Sequence, residues 1–210
     1  MQITHGLPLQ KIKSIIVIDN NEPLVEIKET EKIKLDKTSK NLVPQIRKGV
    51  LDLLIKASDN LPDEYKILVS TAFRPYEMQK RMWRKRLLKM ALLHPIKMIL
   101  NNKDWKKEAG RYTAPPGGSS HQCGAALDVT LLYKNSEIDM GSTQNDMGIK
   151  VHTFSKEISD AQKANRELLY KIMTEAGFAN YPLEWWHYSY GDRMWAAYKE
   201  KSEAFYGPIK

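Results

Sequence analysis

The stretch that decides the fold is SSHQCGAALD, residues 119–128, which continues into the apolar run VTLL at residues 129–132. His121 and Asp128 are seven residues apart. Along an extended strand they would be separated by roughly 23 Å, and along a helix axis by about 10.5 Å. Both could therefore contact one metal ion only if the chain bends between them. Gly124 provides the backbone freedom that such a bend needs.

A second polar stretch, EWWH, lies at residues 184–187. Glu184 and His187 are three residues apart and would face opposite sides of a flat strand, so a bend near Trp185 is required for both to face one ion. Catalytic zinc sites use three protein ligands and keep one position open for water. A carboxylate beside such a water is the recurring arrangement for hydrolysis of amides. The two stretches together predict one metal ion held by three of their four histidines and acids, with the fourth group transferring protons.

The residues alone also allow a structural reading of these histidines, because a single histidine is more often a hydrogen-bonded structural residue than a ligand. His5, His94 and His152 are assigned to that structural class. Cys123 lies beside His121, but no separate base and orienting residue accompany it, so a cysteine nucleophile is not favoured. A single cysteine also excludes an internal disulfide and a cysteine-rich zinc site.

The composition is that of a soluble globular protein. The chain has 210 residues, 42% of them hydrophobic and 28% charged, which favours one domain. No apolar run is long enough to cross a bilayer, and residues 1–13 show no secretory signal pattern. A cytoplasmic location is therefore expected, in preference to the periplasm.

The net charge of +8 is concentrated in the first half of the chain. Residues 1–118 carry 23 Lys and Arg against 13 Asp and Glu, whereas residues 119–210 carry 10 against 12. Much of the excess lies between Lys80 and Arg111. No aromatic-interleaved RNA motif or helix-turn-helix pattern accompanies it, so it is interpreted as a solvated helical face and no nucleic-acid partner is expected.

Upstream of the two polar stretches, the sequence predicts a hairpin and a helix. Two β-branched runs, residues 15–18 and 24–27, flank an Asx-rich turn and are typical of a hairpin. Apolar residues at three- and four-residue steps predict a helix over residues 42–57, with Thr38 and Ser39 as candidate N-caps. The other predicted elements are strands at 67–69, 127–132 and 185–190, a helix after Pro75 that ends or kinks at His94–Pro95, a short helix over 101–111, and a helix over 157–176 that Gly177 ends.

These stretches resemble the signatures of the zinc D-Ala-D-Ala metallopeptidases. Residues 119–128 fit the pattern Ser-x-His-x-x-Gly-x-Ala-x-Asp, and residues 184–187 fit Glu-x-Trp-His. Residues 70–75 (STAFRP), 139–141 (DMG) and 175–178 (EAGF) are similar to the D-alanyl-D-alanine dipeptidase branch of that family. The resemblance covers about residues 61–195, and the first sixty residues match nothing in it.

The resemblance implies one zinc ion per chain, with His121, Asp128 and His187 as ligands and Glu184 as general base. It implies that Arg74, which sits where a predicted strand meets a predicted helix, stabilises the negative charge that develops on the attacked carbonyl oxygen. The implied reaction is hydrolysis of the small D-alanyl-D-alanine dipeptide.

The resemblance also implies two substrate contacts and a fold. Asp139 would bind the free ammonium of the dipeptide, and Ser119 would help to hold the substrate. The implied fold is a single α+β domain over residues 1–210, with a central antiparallel sheet flanked by helices, as in Hedgehog and D-Ala-D-Ala peptidases. Residues 1–60 would form a hairpin-plus-helix extension packed on that domain.

Two departures and two rival functions accompany this interpretation. Cys123 is an unusual neighbour for a zinc-binding histidine and predicts redox sensitivity, and the loop at residues 142–154 is expected to shape substrate choice. One rival is a D,D-carboxypeptidase acting on peptidoglycan peptides, which an ammonium-binding Asp139 would disfavour. The other is a non-catalytic zinc-binding module, which would require neither Glu184 nor Arg74. The sequence does not indicate the oligomeric state.

Overall fold

The computed structural model describes residues 5–40, 42–93, 109–110, 113–144 and 146–209. The helix end predicted at His94–Pro95 and nearly all of the helix predicted over residues 101–111 lie outside these ranges. Within them, no helix has the length and apolar character that crossing a bilayer requires.

Ten strands and five α-helices are formed by the described residues. The strands are β1 (Ile16–Val17), β2 (Leu24–Glu26), β3 (Ile33–Leu35), β4 (Gln45–Arg47), β5 (Tyr65–Thr71), β6 (Ala126–Tyr133), β7 (Ser136–Glu137), β8 (Ala179–Asn180), β9 (His187–Ser189) and β10 (Glu203–Ala204). The helices are α1 (Leu9–Ser14), α2 (Lys48–Asp59), α3 (Tyr76–Leu93), α4 (Asp160–Ala176) and α5 (Arg193–Tyr198).

A six-stranded sheet lies at the centre of the molecule, in the order β3-β5-β6-β9-β8 with β7 paired to β6. Strand β6 is buried along seven of its eight residues, as its near-continuous apolar sequence requires. It pairs antiparallel with β5 on one side and β9 on the other, whereas β3 and β5 pair in parallel. The predicted single α+β domain with a largely antiparallel central sheet is confirmed.

Helix α4 shows how local sequence signals place an element. Ser159 caps its first turn, and the side chain of Gln162 bonds back to the backbone of Ser159. This capping box starts the helix three residues later than the sequence predicted. Gly177, with φ of 129°, ends it as predicted. Helix α4 packs against α2, and apolar residues of both helices share the main core.

The predicted N-terminal hairpin is wrong. Strand β1 pairs in parallel with β10, with Ile16 opposite Glu203, and β2 pairs antiparallel with β4. The intervening segment binds other parts of the chain, because Asp19 accepts hydrogen bonds from the side chain of Arg47 and the backbone N–H of Gly207. These partners hold the two strands apart.

The predicted start of the helix over residues 42–57 is also wrong. Helix α2 begins at Lys48, its N-cap position is Arg47, and no side chain caps it. Pro44 lacks an N–H and disfavours helical backbone at the residue before it. Residues 45–47 instead extend as β4, where they pair with β2, and the first sixty residues also contribute β3 to the central sheet.

Candidate active site

A single helical turn positions His121. Residues Ser120–Cys123 form a 3-10 turn that ends at Gly124, whose φ of 63° is left-handed. A side chain at position 124 would also collide with Leu24, so glycine is required there for two reasons. The turn provides the predicted bend, and the chain enters β6 two residues later.

The three predicted ligands converge. Asp128 on β6 lies directly opposite His187 on β9 in the antiparallel register. The Oδ1 atom of Asp128 lies 3.0 Å from Nδ1 of His187 and 3.3 Å from Nε2 of His121. One candidate ligand atom from each residue lies within 4.8 Å of the other two, and all three residues are buried. The two histidines and the acid that the sequence singled out thus form one cluster.

The hydrogen bonds and charges of this cluster suit a cation. The Nδ1–H of His121 donates to the carbonyl oxygen of Ala72 at 2.9 Å, which leaves the Nε2 lone pair facing Asp128. Burial opposes ionisation of Asp128, but the two imidazoles hold its pKa well below the ordinary range. Burial lowers the pKa of His121. Burial lowers the pKa of His187, but its hydrogen bond with Asp128 and the charge of that carboxylate outweigh burial and raise it. Metal binding therefore requires His187 to release its proton, whereas Asp128 and His121 already have the protonation states that a metal ligand needs.

The fourth group, Glu184, lies in a tight turn just before β9. Its backbone N–H donates to the carbonyl of Tyr181 at 2.9 Å, and its own carbonyl accepts from the N–H of His187 at 3.2 Å. This turn is the bend that the spacing of Glu184 and His187 required. Burial raises the pKa of Glu184 to about 7, while the charge of His187 acts in the opposite direction. The following residues, Trp185 and Trp186, are buried and keep water away from the turn.

Arg74 also lies near the cluster. Its backbone N–H donates to the carbonyl of His121 at 3.1 Å, and its guanidinium interacts electrostatically with Asp128 and Glu184. Burial lowers its pKa from the ordinary value, while the two acids act in the opposite direction. Its Nε atom is buried and has no hydrogen-bond partner among the described residues. Arg74 is therefore a cation beside the site with a free hydrogen-bond donor.

Sequence reasoning missed Gln79, which orients Arg74. Gln79 is fully buried, and its Oε1 accepts from Nη1 of Arg74 at 3.0 Å. Its Nε2 donates to the carbonyl of Ala114 at 2.5 Å. The available signal was an amide side chain in the first turn of a basic helix, a few residues after the predicted functional arginine.

The structure does not bring Asp139 into the cluster. Asp139 is exposed, and its carboxylate accepts from the backbone N–H of Gly141 and from Nε2 of Gln162, both at 2.8 Å. The bond with Gln162, then that with Gly141, lowers its pKa. Ser119, in contrast, is buried immediately before the turn that carries His121.

Cys123 is a core residue. It is buried, and its thiol donates to the carbonyl of Ser119 at 3.5 Å. Burial raises the pKa of the thiol far above its ordinary value. Because the thiolate is the reactive form, this environment supports neither a nucleophile nor the redox sensitivity that the sequence predicted.

A loop from the other end of β6 reaches the strand that carries Asp128. The hydroxyl of Ser70 lies 2.5 Å from Oε1 of Gln144 and 3.0 Å from the backbone carbonyl of Asp128. Gln144 belongs to the loop that the sequence associated with substrate choice. The loop is thus attached to the backbone of a candidate metal ligand.

Two histidines and an acid that converge beside a glutamate of raised pKa and a buried arginine define the site of a metal-dependent hydrolase. A protein-family model described as D-ala-D-ala dipeptidase matches residues 30–206, and the chain belongs to this family, peptidase M15. The predicted enzyme class, a metallopeptidase, is confirmed. The match begins about thirty residues before the resemblance inferred from sequence, so the view that all of residues 1–60 lie outside it is wrong.

Curated relatives are similar over different lengths. A D-alanyl-D-alanine dipeptidase of Synechocystis sp. is 31% identical over 195 residues, covering 79% of each chain. The D-alanyl-D-alanine dipeptidase of Enterococcus faecalis is 40% identical over 72 residues, which cover 33% of this chain and 36% of that protein. Among solved structures, VanYB in complex with D-Ala-D-Ala is 18% identical, with a TM-score of 0.45 over 90% of this chain and 93% of that one.

Proposed function

We propose that this protein binds one zinc ion per chain and hydrolyses the D-alanyl-D-alanine dipeptide. The observation that carries the proposal is the convergence of the buried ligand atoms of His121, Asp128 and His187 beside Glu184. Two nitrogen donors and one carboxylate oxygen match the ligand sets of catalytic zinc. The similarity to the Synechocystis D-alanyl-D-alanine dipeptidase supports the substrate.

Each residue of the site has a separate role in the proposed reaction. Bound zinc would supply Lewis acidity at the attacked carbonyl and acidify water. Glu184 accepts the proton of the attacking water and passes it to the leaving amine, a role for which a pKa near operating pH is effective. Arg74 stabilises the carbonyl oxygen as negative charge develops on it. Trp185 and Trp186 exclude bulk water, which strengthens both interactions.

For the substrate contacts, we propose that Asp139 binds the ammonium group of the dipeptide and that Ser119 helps to hold the peptide. The lowered pKa of Asp139 keeps it anionic, as an ammonium ligand must be. Asp139→Asn should then raise KM for D-Ala-D-Ala and leave KM for a pentapeptide unchanged, as measured by steady-state kinetics. Equal effects on both substrates would contradict this role.

The test of the function is zinc reconstitution of metal-free protein followed by assays of three substrates: D-Ala-D-Ala, L-Ala-L-Ala and a pentapeptide that ends in D-Ala-D-Ala. Zinc-dependent release of alanine from the D,D-dipeptide, with little from the other two, is expected. Absence of zinc-dependent release from all three would refute the enzyme proposal. Cell fractionation tests the accompanying proposal of a cytoplasmic location.

The second candidate is a D,D-carboxypeptidase acting on peptidoglycan peptides. The exposed position of Asp139 outside the cluster favours it, because only an ammonium-binding carboxylate in the site would disfavour a longer peptide. Cleavage of the pentapeptide alone would select this activity. A purely structural zinc module is disfavoured, since neither Glu184 nor Arg74 would then be needed beside the cluster.

A further inference from the structure

Arg166, in the middle of α4, forms hydrogen bonds with both ends of one loop. It is only 2% exposed. Its guanidinium donates to the carbonyls of Met140 at 2.7 Å, Lys150 at 2.9 Å and His152 at 2.6 Å, and to the hydroxyl of Ser142 at 3.1 Å. Residues 140 and 142 lie at one end of the segment and residues 150 and 152 at the other. We call residues 140–144 and 146–152 the clamped loop.

The same arginine joins the clamped loop to the segment that carries Glu184. Its guanidinium lies 5.5 Å from the ring centroid of Trp185. The indole N–H of Trp185 donates to the hydroxyl of Ser142 at 3.0 Å, so Ser142 accepts from both side chains. The backbone N–H of Trp185 also donates to the carbonyl of Val151 at 3.0 Å. The residue after the general base is therefore held by the clamped loop and by Arg166.

The clamped loop also contacts, through Ser70, the strand that carries Asp128. Gln144 lies within this loop, and its side chain contacts the hydroxyl of Ser70, which in turn contacts the backbone carbonyl of Asp128. The loop therefore spans the distance between the strand of Asp128 and the turn of Glu184.

Stability alone does not account for this arginine. Among the described residues it forms no ion pair, and backbone carbonyls take most of its hydrogen bonds. Burial lowers its pKa to about 10. A buried charge is costly, and apolar residues of similar volume often replace one with little loss of stability. A guanidinium is needed here because its planar donors bind several loop carbonyls at once.

We propose that Arg166 is a positioning residue that fixes the clamped loop next to the candidate active site and thereby sets the length of peptide that the enzyme accepts. The proposal rests on the peptidase function proposed above. The guanidinium of Arg166 holds both ends of the loop backbone in place. When the loop is released, the enzyme loses discrimination between a dipeptide and a longer peptide but keeps its metal ligands.

The test compares Arg166→Met and Arg166→Lys with wild type. In Arg166→Met, the ratio of kcat/KM for D-Ala-D-Ala to that for the pentapeptide should change by about tenfold, mainly through KM, because misplaced positioning groups have effects of this size or larger. Arg166→Lys should restore part of the ratio.

Zinc affinity, measured by competition with a chelator, should stay within about threefold of wild type, since such a change is under 1 kcal/mol. Arg193→Met, which removes a single bond to the carbonyl of Ile15, is the matched control and should change nothing.

A selectivity ratio equal to that of wild type in Arg166→Met, whether or not the melting temperature falls, would overturn the proposal. If that variant does not fold, Ser142→Ala serves instead, because it removes the acceptor that Arg166 and Trp185 share. An unchanged ratio in Ser142→Ala would then overturn it.

Hydrogen exchange separates this proposal from the proposed function. Backbone amides of residues 140–152 should exchange faster in Arg166→Met, or in Ser142→Ala, than in wild type. Unchanged exchange there would contradict the clamping role even in an active enzyme. Failure of wild type to cleave any peptide would instead refute the proposed function.

Discussion

Two turns, here called the arms, carry residues of the site, and a buried arginine holds each of them in place. The first arm is the turn Ser120–Cys123, and Arg47 supports it through a bond from Nε to the carbonyl of Cys123 at 3.0 Å and from its backbone N–H to the carbonyl of Gly124 at 2.9 Å. The second arm is the turn of Glu184, which Arg166 supports through Trp185. Arg47 is ion-paired with Asp19 at 2.9 Å, whereas Arg166 forms no ion pair among the described residues.

The difference assigns separate tasks to the arms. Arg47 joins the first arm to segments near both ends of the chain, since it also donates to the carbonyls of Glu22 and Gly207. That arm carries the candidate ligand His121, and Arg47 fixes its backbone. Arg166 joins the second arm to a loop beside the cleft. The first arm should therefore control metal affinity, and the second should control proton transfer and selectivity.

The largest effect is expected from a substitution of Glu184, which belongs to the second arm and should not affect the candidate ligand His121 on the first. Glu184→Gln should lower kcat by about 10²–10⁴-fold, because proton transfer is lost, while zinc stoichiometry by elemental analysis stays at one per chain. His121→Ala on the first arm should lose zinc and turnover together. Loss of zinc from Glu184→Gln would mean that Glu184 is a ligand, and the division between the arms would fail.

The next effect concerns the support of the first arm. Arg47→Met leaves Asp19 without its cation, and breaking a buried ion pair costs about 3–5 kcal/mol. Because Asp19 is partly exposed, the lower end of that range is expected for the free energy of unfolding in urea. Zinc affinity should fall as well, in contrast with Arg166→Met. The double variant Asp19→Asn with Arg47→Met should recover part of the stability, and additive losses would contradict the pairing.

A smaller effect is the pH dependence of the metal-free protein. The pKa of Glu184 is raised from 4.5 to about 7 in the folded state, so the folded state favours the protonated carboxyl. Its contribution to stability is full below pH 4.5 and is lost as pH rises to about 7, with a total of at most about 3 kcal/mol. The difference in unfolding free energy between wild type and Glu184→Gln isolates this group. A difference that stays constant across this window would contradict it.

The smallest effect is expected at Cys123. Cys123→Ala removes a buried sulfur whose one hydrogen bond among the described residues is to the carbonyl of Ser119, so stability should fall by about 1–2 kcal/mol, in line with loss of a small buried group. Both kcat and zinc affinity should be unchanged. Sensitivity of wild-type turnover to peroxide that Cys123→Ala abolishes would contradict the assignment of this residue to the core.

Those parts of the site and fold could be predicted whose sequence signals are local. The bend at Gly124 and the turn before His187 follow from spacing and residue type, and the helix before Gly177 follows from periodicity and its cap. The pairing of Ile16 with Glu203 had no such signal, because the two residues are far apart in the chain. A local turn pattern cannot identify a distant strand partner.

The roles of Arg47 and Arg166 could not be predicted from the sequence for a related reason. An arginine in a helix or beside charged neighbours has the pattern of a surface residue. Arg166 is buried only because carbonyls from residues 140–152 surround it, and Arg47 only because Asp19 and Gly207 meet over it. Their roles depend on tertiary contacts that a composition or spacing argument does not contain. The same holds for Asp139, whose exposure did not follow from its motif.

The bonds between Gln122 and Ile209 have a consequence for biosynthesis. The N–H of Ile209 donates to the carbonyl of Gln122 at 3.0 Å, and the side chain of Gln122 donates back at 3.3 Å. The turn that carries His121 therefore lacks this strap until residue 209 has left the ribosome. We therefore expect nascent chains halted before that point to bind zinc more weakly than the full chain.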